Sequence, residues 1–112
     1  MMSYSRELLK GSTDSLLLYL ICNQPMYGYQ IIKELKKRSN GYFRFKEGTL
    51  YPALHRLERA GFIEGEWKKL PNGQARRYYF IKSKGEQVLY ERLGIWHSFS
   101  DAINAIIQPD VG

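Results

Sequence analysis

The segment from Ser83 to Ile107 constrains the fold of this chain more than any other. Leu89, Trp96 and Ile103 recur at seven-residue spacing, Phe99 and Ile106 do the same, and Leu93 and Ile107 lie beside them. Apolar residues at that interval fall on one stripe of a helix. Ser83 and Glu86 read as an S-x-x-E capping box at its start, and Pro109 stops it. Such a helix is about 37 Å long at 1.5 Å per residue, too long for one domain of the preceding ~80 residues to cover. The stripe needs a further apolar surface, and a second copy of the chain is the simplest supply. Leu89, Leu93, Trp96, Phe99, Ile103, Ile106 and Ile107 are therefore the expected contacts of a homodimer.

A chain of 112 residues allows one domain plus an appended element of this kind. The expected division is residues 1–82 as the domain and residues 83–112 as the dimerisation helix with a short tail. Cys22 is the single cysteine, which excludes an intramolecular disulfide and favours a reducing compartment. It follows an apolar run and reads as an inert buried thiol. The longest apolar run, Leu16 to Cys22, is far short of the ~20 residues of a membrane span. Met1 to Lys10 lacks the apolar core of a signal peptide. The expectation is a cytoplasmic protein with no membrane association.

The segments before Ser83 are short and closely spaced. Ser12, Thr13 and Asp14 supply N-cap chemistry for a first helix ending near Asn23, and its run Leu16–Ile21 is apolar nearly all round. A second helix spans about Gly28 to Ser39, with Ile31, Ile32 and Leu35 inside and Asn40-Gly41 as a left-handed stop. Tyr42–Phe45 reads as extended, one small strand at most. A third helix starts near Gly48 and ends at Gly61, its start limited by Pro52. Its inner stripe is Leu50, Ala53, Leu54 and Leu57. The opposite side carries Gly48, Pro52, His55 and Arg59, with Thr49 and Arg56 on one flank, and has no aliphatic residue. Two strand-like runs, Phe62–Trp67 and Arg76–Ile81, then flank Leu70–Gln74, where Asn72-Gly73 marks a hairpin whose tip projects.

Charge follows this layout. Residues 33–84 hold 14 of the 17 Lys/Arg but 5 of the 11 Asp/Glu, a local charge of +9 against −3 elsewhere. A basic segment on a nearly neutral frame suits a polyanion. Helix, helix, short strand, helix and two-stranded ribbon is the order of a mainly α (α+β) winged helix-turn-helix. In that design the third helix enters the DNA major groove and the hairpin wing lies against the backbone or minor groove. Arg56 and Arg59 have the fork geometry to read guanine or grip phosphate, and His55 and Thr49 do either more weakly. Tyr51 has two readings, a phosphate hydrogen bond or half-buried packing. Lys68, Lys69, Arg76 and Arg77 read as phosphate contacts, with Asn72, Gly73 and Gln74 at the wing tip.

These residues also resemble a known family. Tyr27-Gly28-Tyr29-Gln30-Ile31-Ile32, then Gly48-Thr49-Leu50-Tyr51-Pro52-Ala53-Leu54 with Arg56-Leu57-Glu58 and Gly61, then Gly73 with Arg76-Arg77-Tyr78-Tyr79, are similar to the PadR family of bacterial transcription regulators. The resemblance runs from about Leu8 to Leu89. It implies a winged-helix DNA-binding domain, usually a repressor of a nearby gene, that dimerises through a carboxy-terminal helix, here the single helix of the family's short branch. Where the pattern has threonine after the last strand this chain has Lys82, and Ser83 is placed to take over the cap with the helix start shifted by one. In some short members, aromatic side chains on the last helix line a cavity between subunits that accepts flat hydrophobic molecules. Trp96 and Phe99 stand at that place, and two readings remain open: an ordinary packed dimer core, or a site for a small aromatic effector.

Other function classes fit less well. His55, His97, Cys22 and the scattered carboxylates offer neither metal-ligand spacing nor a catalytic motif, so no enzyme, metal or cofactor is expected. The alternative is a non-specific nucleic-acid-binding or architectural module. Against it, Tyr78, Tyr79 and Phe80 lie in a narrow ribbon, not in a broad base-stacking sheet.

Overall fold

The computed structural model describes residues 2–108, and the side chains of residues 12–108. Helix α1 (Met2–Asn23) is followed by strand β1 (Met26–Tyr27), helices α2 (Gly28–Arg38) and α3 (Glu47–Arg59), strands β2 (Ile63–Lys69) and β3 (Ala75–Ile81), and helix α4 (Ser83–Ile107). The three strands form an antiparallel sheet in the order β1-β3-β2. Mainly helical, with a small β wing, this is the winged helix-turn-helix expected. No helix among the described residues is long and apolar enough to cross a membrane.

The core forms where the apolar stripes converge. Leu17, Leu18, Leu20 and Ile21 of α1, Ile31 and Leu35 of α2, and Leu50, Ala53, Leu54 and Leu57 of α3 are buried together with Met26, Ile63 and Tyr79 of the sheet. Helix α2 ends as its sequence requires: Asn40 and Gly41 take left-handed φ values of 54° and 82°, and the Gly41 N–H donates to Lys36 O at 2.7 Å. Gly61 ends α3 likewise at φ 82°, with the Phe62 N–H donating to Leu57 O at 3.0 Å.

Several expectations are corrected. Ser12, Thr13 and Asp14 lie inside α1 and do not cap it, because the helix begins at Met2. The small extra strand is Met26–Tyr27, paired with Tyr79 and Tyr78, whereas Tyr42–Phe45 makes no strand. That loop packs through its rings, Phe43 edge-on to Phe45 at 6.3 Å with Phe45 buried. Cys22 is exposed; it lies one turn beyond Tyr19 on the outer face of α1. Pro52 sits at the sixth position of α3, deeper than a first turn, so residue 52 offers no helical donor to the Gly48 carbonyl.

At α4 the capping box does not form. Lys82 occupies the N-cap without a side-chain cap bond and the helix starts at Ser83, so the Lys82 departure does not shift the start. Gly85 then packs against the Phe62 carbonyl, and a methyl added there would lie 2.9 Å from Ile81 Cγ1. Lys82 N donates to that same Phe62 carbonyl at 2.9 Å, tying α4 to the root of the wing. Leu89 is buried in the chain's own core and Leu93 packs against it, so these two serve this chain's own packing. Gln108 ends the helix in extended geometry, φ −60° and ψ 131°, as a residue before proline does. Pro109, the expected stop, the tail after it and the side chains of Met1–Lys10 lie outside those described.

Candidate nucleic-acid interface

Helix α3 and the wing stand on two sides of an open cleft of about 500 Å³, whose lining includes Tyr51 and His55 of α3, Tyr29 of α2, and Trp67, Arg76 and Arg77 of the wing. The stripe that buries Leu50, Ala53, Leu54 and Leu57 turns Thr49, His55 and Arg59 outward, and all three are exposed. Lys68 and Lys69 are exposed at the end of β2. Leu70–Gln74 forms the wing tip: Gly73 takes φ 89°, its N–H donates to Leu70 O at 2.9 Å, and the Leu70 N–H donates to Gln74 O at 2.7 Å. The Asn72 Oδ1 accepts from the Gln74 N–H at 3.0 Å, so Asn72 shapes the tip as well as standing on it.

The expected cations do not stand alike. Arg56 donates to Asp14 Oδ1 at 3.0 Å, across to α1. An exposed pair of this kind is worth about 0–1 kcal/mol, so Arg56 exchanges partners cheaply. The Arg76 Cζ lies over the Tyr27 ring, 4.3 Å from its centre, and the Lys68 Nζ lies 5.1 Å from the centre of Tyr78, which in turn meets Tyr27 edge-on. Lys68 is exposed and Arg76 partly so. Arg77 is held most firmly: it donates to Glu58 Oε2 of α3 at 2.7 Å. That hydrogen bond holds the guanidinium above its ordinary pKa, and burial pushes the Tyr79 phenol up.

Tyr51 packs against Gly28 and also lines the cleft. It is half-buried, and its phenol end occupies the space a methyl on Gly28 would need. A side chain at residue 28 would therefore displace Tyr51 from the seam between α2 and α3. Sequence reasoning missed Tyr29 and Trp67 as cleft residues. For Trp67 the signal was present, because pairing of Trp67 with Arg77 puts both on one sheet face, and a 64% exposed tryptophan between Glu66 and Lys68 is unusual for a residue with only a packing role.

Beyond Leu93, α4 carries an uncovered apolar stripe. Trp96 is 48% exposed and Phe99, Ile103, Ile106 and Ile107 are exposed with it. The Trp96 and Phe99 rings lie 6.2 Å apart at an interplanar angle of 33°.

Comparison with known proteins places this geometry. The family model described as "Transcriptional regulator PadR-like family" matches residues 17–91. An uncharacterised protein of Lysinibacillus sphaericus is 34% identical over 102 residues, covering 91% of this chain and 94% of that protein. Transcriptional regulator Rv3488 of Mycobacterium tuberculosis is 34% identical over 86 residues, 77% of each chain. Among solved structures, a PadR-like transcriptional regulator from Bacillus cereus superposes with a TM-score of 0.82 at 33% identity, covering 93% of this chain and 99% of that one. Bacillus subtilis PadR, solved with operator DNA, shares the fold at 23% identity and a TM-score of 0.66, over 72% of this chain and 46% of that one. The chain belongs to the PadR-like family of transcriptional regulators, a family of regulatory proteins and not of enzymes.

Proposed function

We propose that the protein is a homodimeric, sequence-specific repressor that binds an inverted-repeat operator, with α3 in the major groove and the wing on the backbone. The observation that carries this reading is a cleft lined by His55 of α3 and by Arg76 and Arg77 of the wing, with Thr49 and Arg59 exposed on the same helix and Lys68 and Lys69 exposed on the same wing. Cations on the wing side of a cleft that faces the polar side of a helix suit a polyanion lying between them. The exposed Trp96–Ile107 stripe supports the dimer, and the operator complex of Bacillus subtilis PadR supports duplex DNA as the partner. In a two-fold dimer the half-sites lie about one helical turn, ~10 base pairs, or a multiple apart.

Selection of bound duplexes from a random library tests this reading. Enrichment of a palindrome with that spacing is the expected result, and a pool without a shared sequence would point to the non-specific module. On the selected duplex, Arg59→Ala and His55→Ala are expected to cost about 1–3 kcal/mol each in specific binding, with less effect on random duplex. Lys69→Ala is expected to weaken both alike and to lower the salt slope by about 0.9. Equal losses on both duplexes for all three variants would refute the assignment of base reading to α3.

The reading extends to control by a flat hydrophobic effector held against Trp96 and Phe99, whose tilted rings leave faces on which a planar molecule can stack. Such a ligand would shift the dimer between DNA-competent and incompetent forms through α4. A flat polyaromatic dye is expected to quench tryptophan fluorescence of the wild type and of Trp67→Leu, but to show no binding by Trp96→Leu. Binding retained by Trp96→Leu would leave the stripe as an ordinary packed interface.

A further inference from the structure

We propose that Glu58, Arg77 and Gly65 set the angle between the wing and α3, and that Glu58 and Gly65 are thereby specificity-determining positioning residues although neither offers DNA a cation. The inference rests on the DNA-reading function proposed above. The outer half of the wing has little else to hold it: Glu66–Lys69 and Pro71–Ala75 are exposed and pair only across the hairpin. Among the described residues, the Arg77–Glu58 bond at 2.7 Å is the one side-chain hydrogen bond joining α3 to the sheet, and the shortest ion pair. Both side chains are roughly one-third exposed, at 32% and 29%, so neither is an open surface charge nor a deep one.

The space for this tie is made by Gly65. It faces Tyr79 across the β2–β3 pair, and a methyl there would come within 2.5–2.7 Å of Arg77 Nε, Cζ and Nη2. The guanidinium thus crosses the sheet face through the gap left by a missing side chain, flanked by the Trp67 and Tyr79 rings at 5.7 and 5.8 Å. Glu58 precedes Arg59 and lies one turn after His55, on the helix that reads bases. A bond from that turn to the middle of β3 fixes the wing relative to the reading side chains. Arg77 acts here as a strut, in contrast to Lys68 and Lys69.

The test exploits a difference of sign. A carboxylate near a DNA surface repels phosphate, so on charge alone Glu58→Ala would tighten binding to every duplex. As a positioning residue it does the opposite on the operator: its affinity for the selected palindrome is expected to fall about tenfold while random-duplex affinity does not fall. Glu58→Gln keeps the accepting oxygen without the charge and is expected to retain most of the operator preference. Gly65→Ala is expected to reproduce Glu58→Ala, since the added methyl displaces a flexible guanidinium and leaves the backbone undisturbed. Arg77→Ala is expected to lose operator preference with an unchanged salt slope. Equal behaviour of the Gln and Ala variants at residue 58, tighter operator binding by Glu58→Ala, or a salt slope lowered by about 0.9 in Arg77→Ala would each overturn the strut. Circular dichroism keeps these outcomes separate from misfolding. If the wild type itself selects no sequence, the proposed function fails first, and the strut is judged only on a wild type that does.

Discussion

Trp96→Asp is expected to convert the protein to a folded monomer and to weaken operator binding about a hundredfold or more. Burying an unpaired carboxylate between two apolar helices costs several kcal/mol per copy, and a symmetric interface meets that cost twice. The monomer keeps its fold because the buried cluster draws on α1, α2, α3 and the sheet, with Leu89 as the buried apolar side chain of α4. Trp96 is already 48% exposed in the single chain. The loss in binding follows from valency: two half-sites engaged by one dimer act at an effective concentration in the millimolar range, a gain of about 10²–10⁴. Sedimentation should show one chain, circular dichroism an unchanged helix content, and a single half-site duplex an affinity near that of the wild type. An intact dimer would place the contact elsewhere, and equal loss on the half-site would mean that the domain itself was damaged.

The sequence carried the periodic parts of this molecule and little of what joins them. The α3 stripe was legible because burial of Leu50, Ala53, Leu54 and Leu57 requires the helical interval, and the hairpin because Asn72-Gly73 suits the left-handed turn found at Gly73. Strand β1 was not legible. Two residues show no alternation, and Met26–Tyr27 is a strand only because β3 passes beside it. The cap at Ser12–Asp14 failed for a related reason: good capping residues are tolerated within a helix when other contacts carry it, and local propensity then yields to the longer element. Cys22 was misjudged by hydropathy although the helical interval was sufficient, since it follows Tyr19, 45% exposed, by three positions.

The site shows the same division. Which residues are basic is in the sequence, but which are engaged is set by partners far along the chain. Arg56 meets Asp14, 42 positions away, and Arg77 meets Glu58, 19 positions away. Neighbouring arginines in the run Arg76-Arg77 consequently have different surroundings, because successive strand residues face opposite sides of the sheet. Arg76 rests on Tyr27 on one side and Arg77 ties to α3 on the other. The residues expected at a dimer interface divide in the same way, with Leu89 and Leu93 used within the chain and the residues from Trp96 onward left uncovered.

Leu54→Ala is expected to cause the largest loss of stability, about 2–5 kcal/mol. At about 4–8 °C per kcal/mol for a domain of this size, the thermal midpoint should fall by roughly 8–40 °C. Leu54 is 0% exposed among Leu50, Ala53 and Leu57, so truncation leaves a cavity where α3 meets α1 and α2. The comparison must be made at one protein concentration, because association of the proposed dimer would add to the midpoint by mass action. Paired with Arg59→Ala, the variant separates the two sides of the same helix. Leu54→Ala should melt early yet keep its operator preference when assayed well below its midpoint. Arg59→Ala should melt with the wild type yet lose that preference. A Leu54→Ala midpoint within a few degrees of the wild type would mean that the core relaxes around the missing side chain. Loss of operator preference by folded Leu54→Ala would mean that the packing behind His55 also sets its aim.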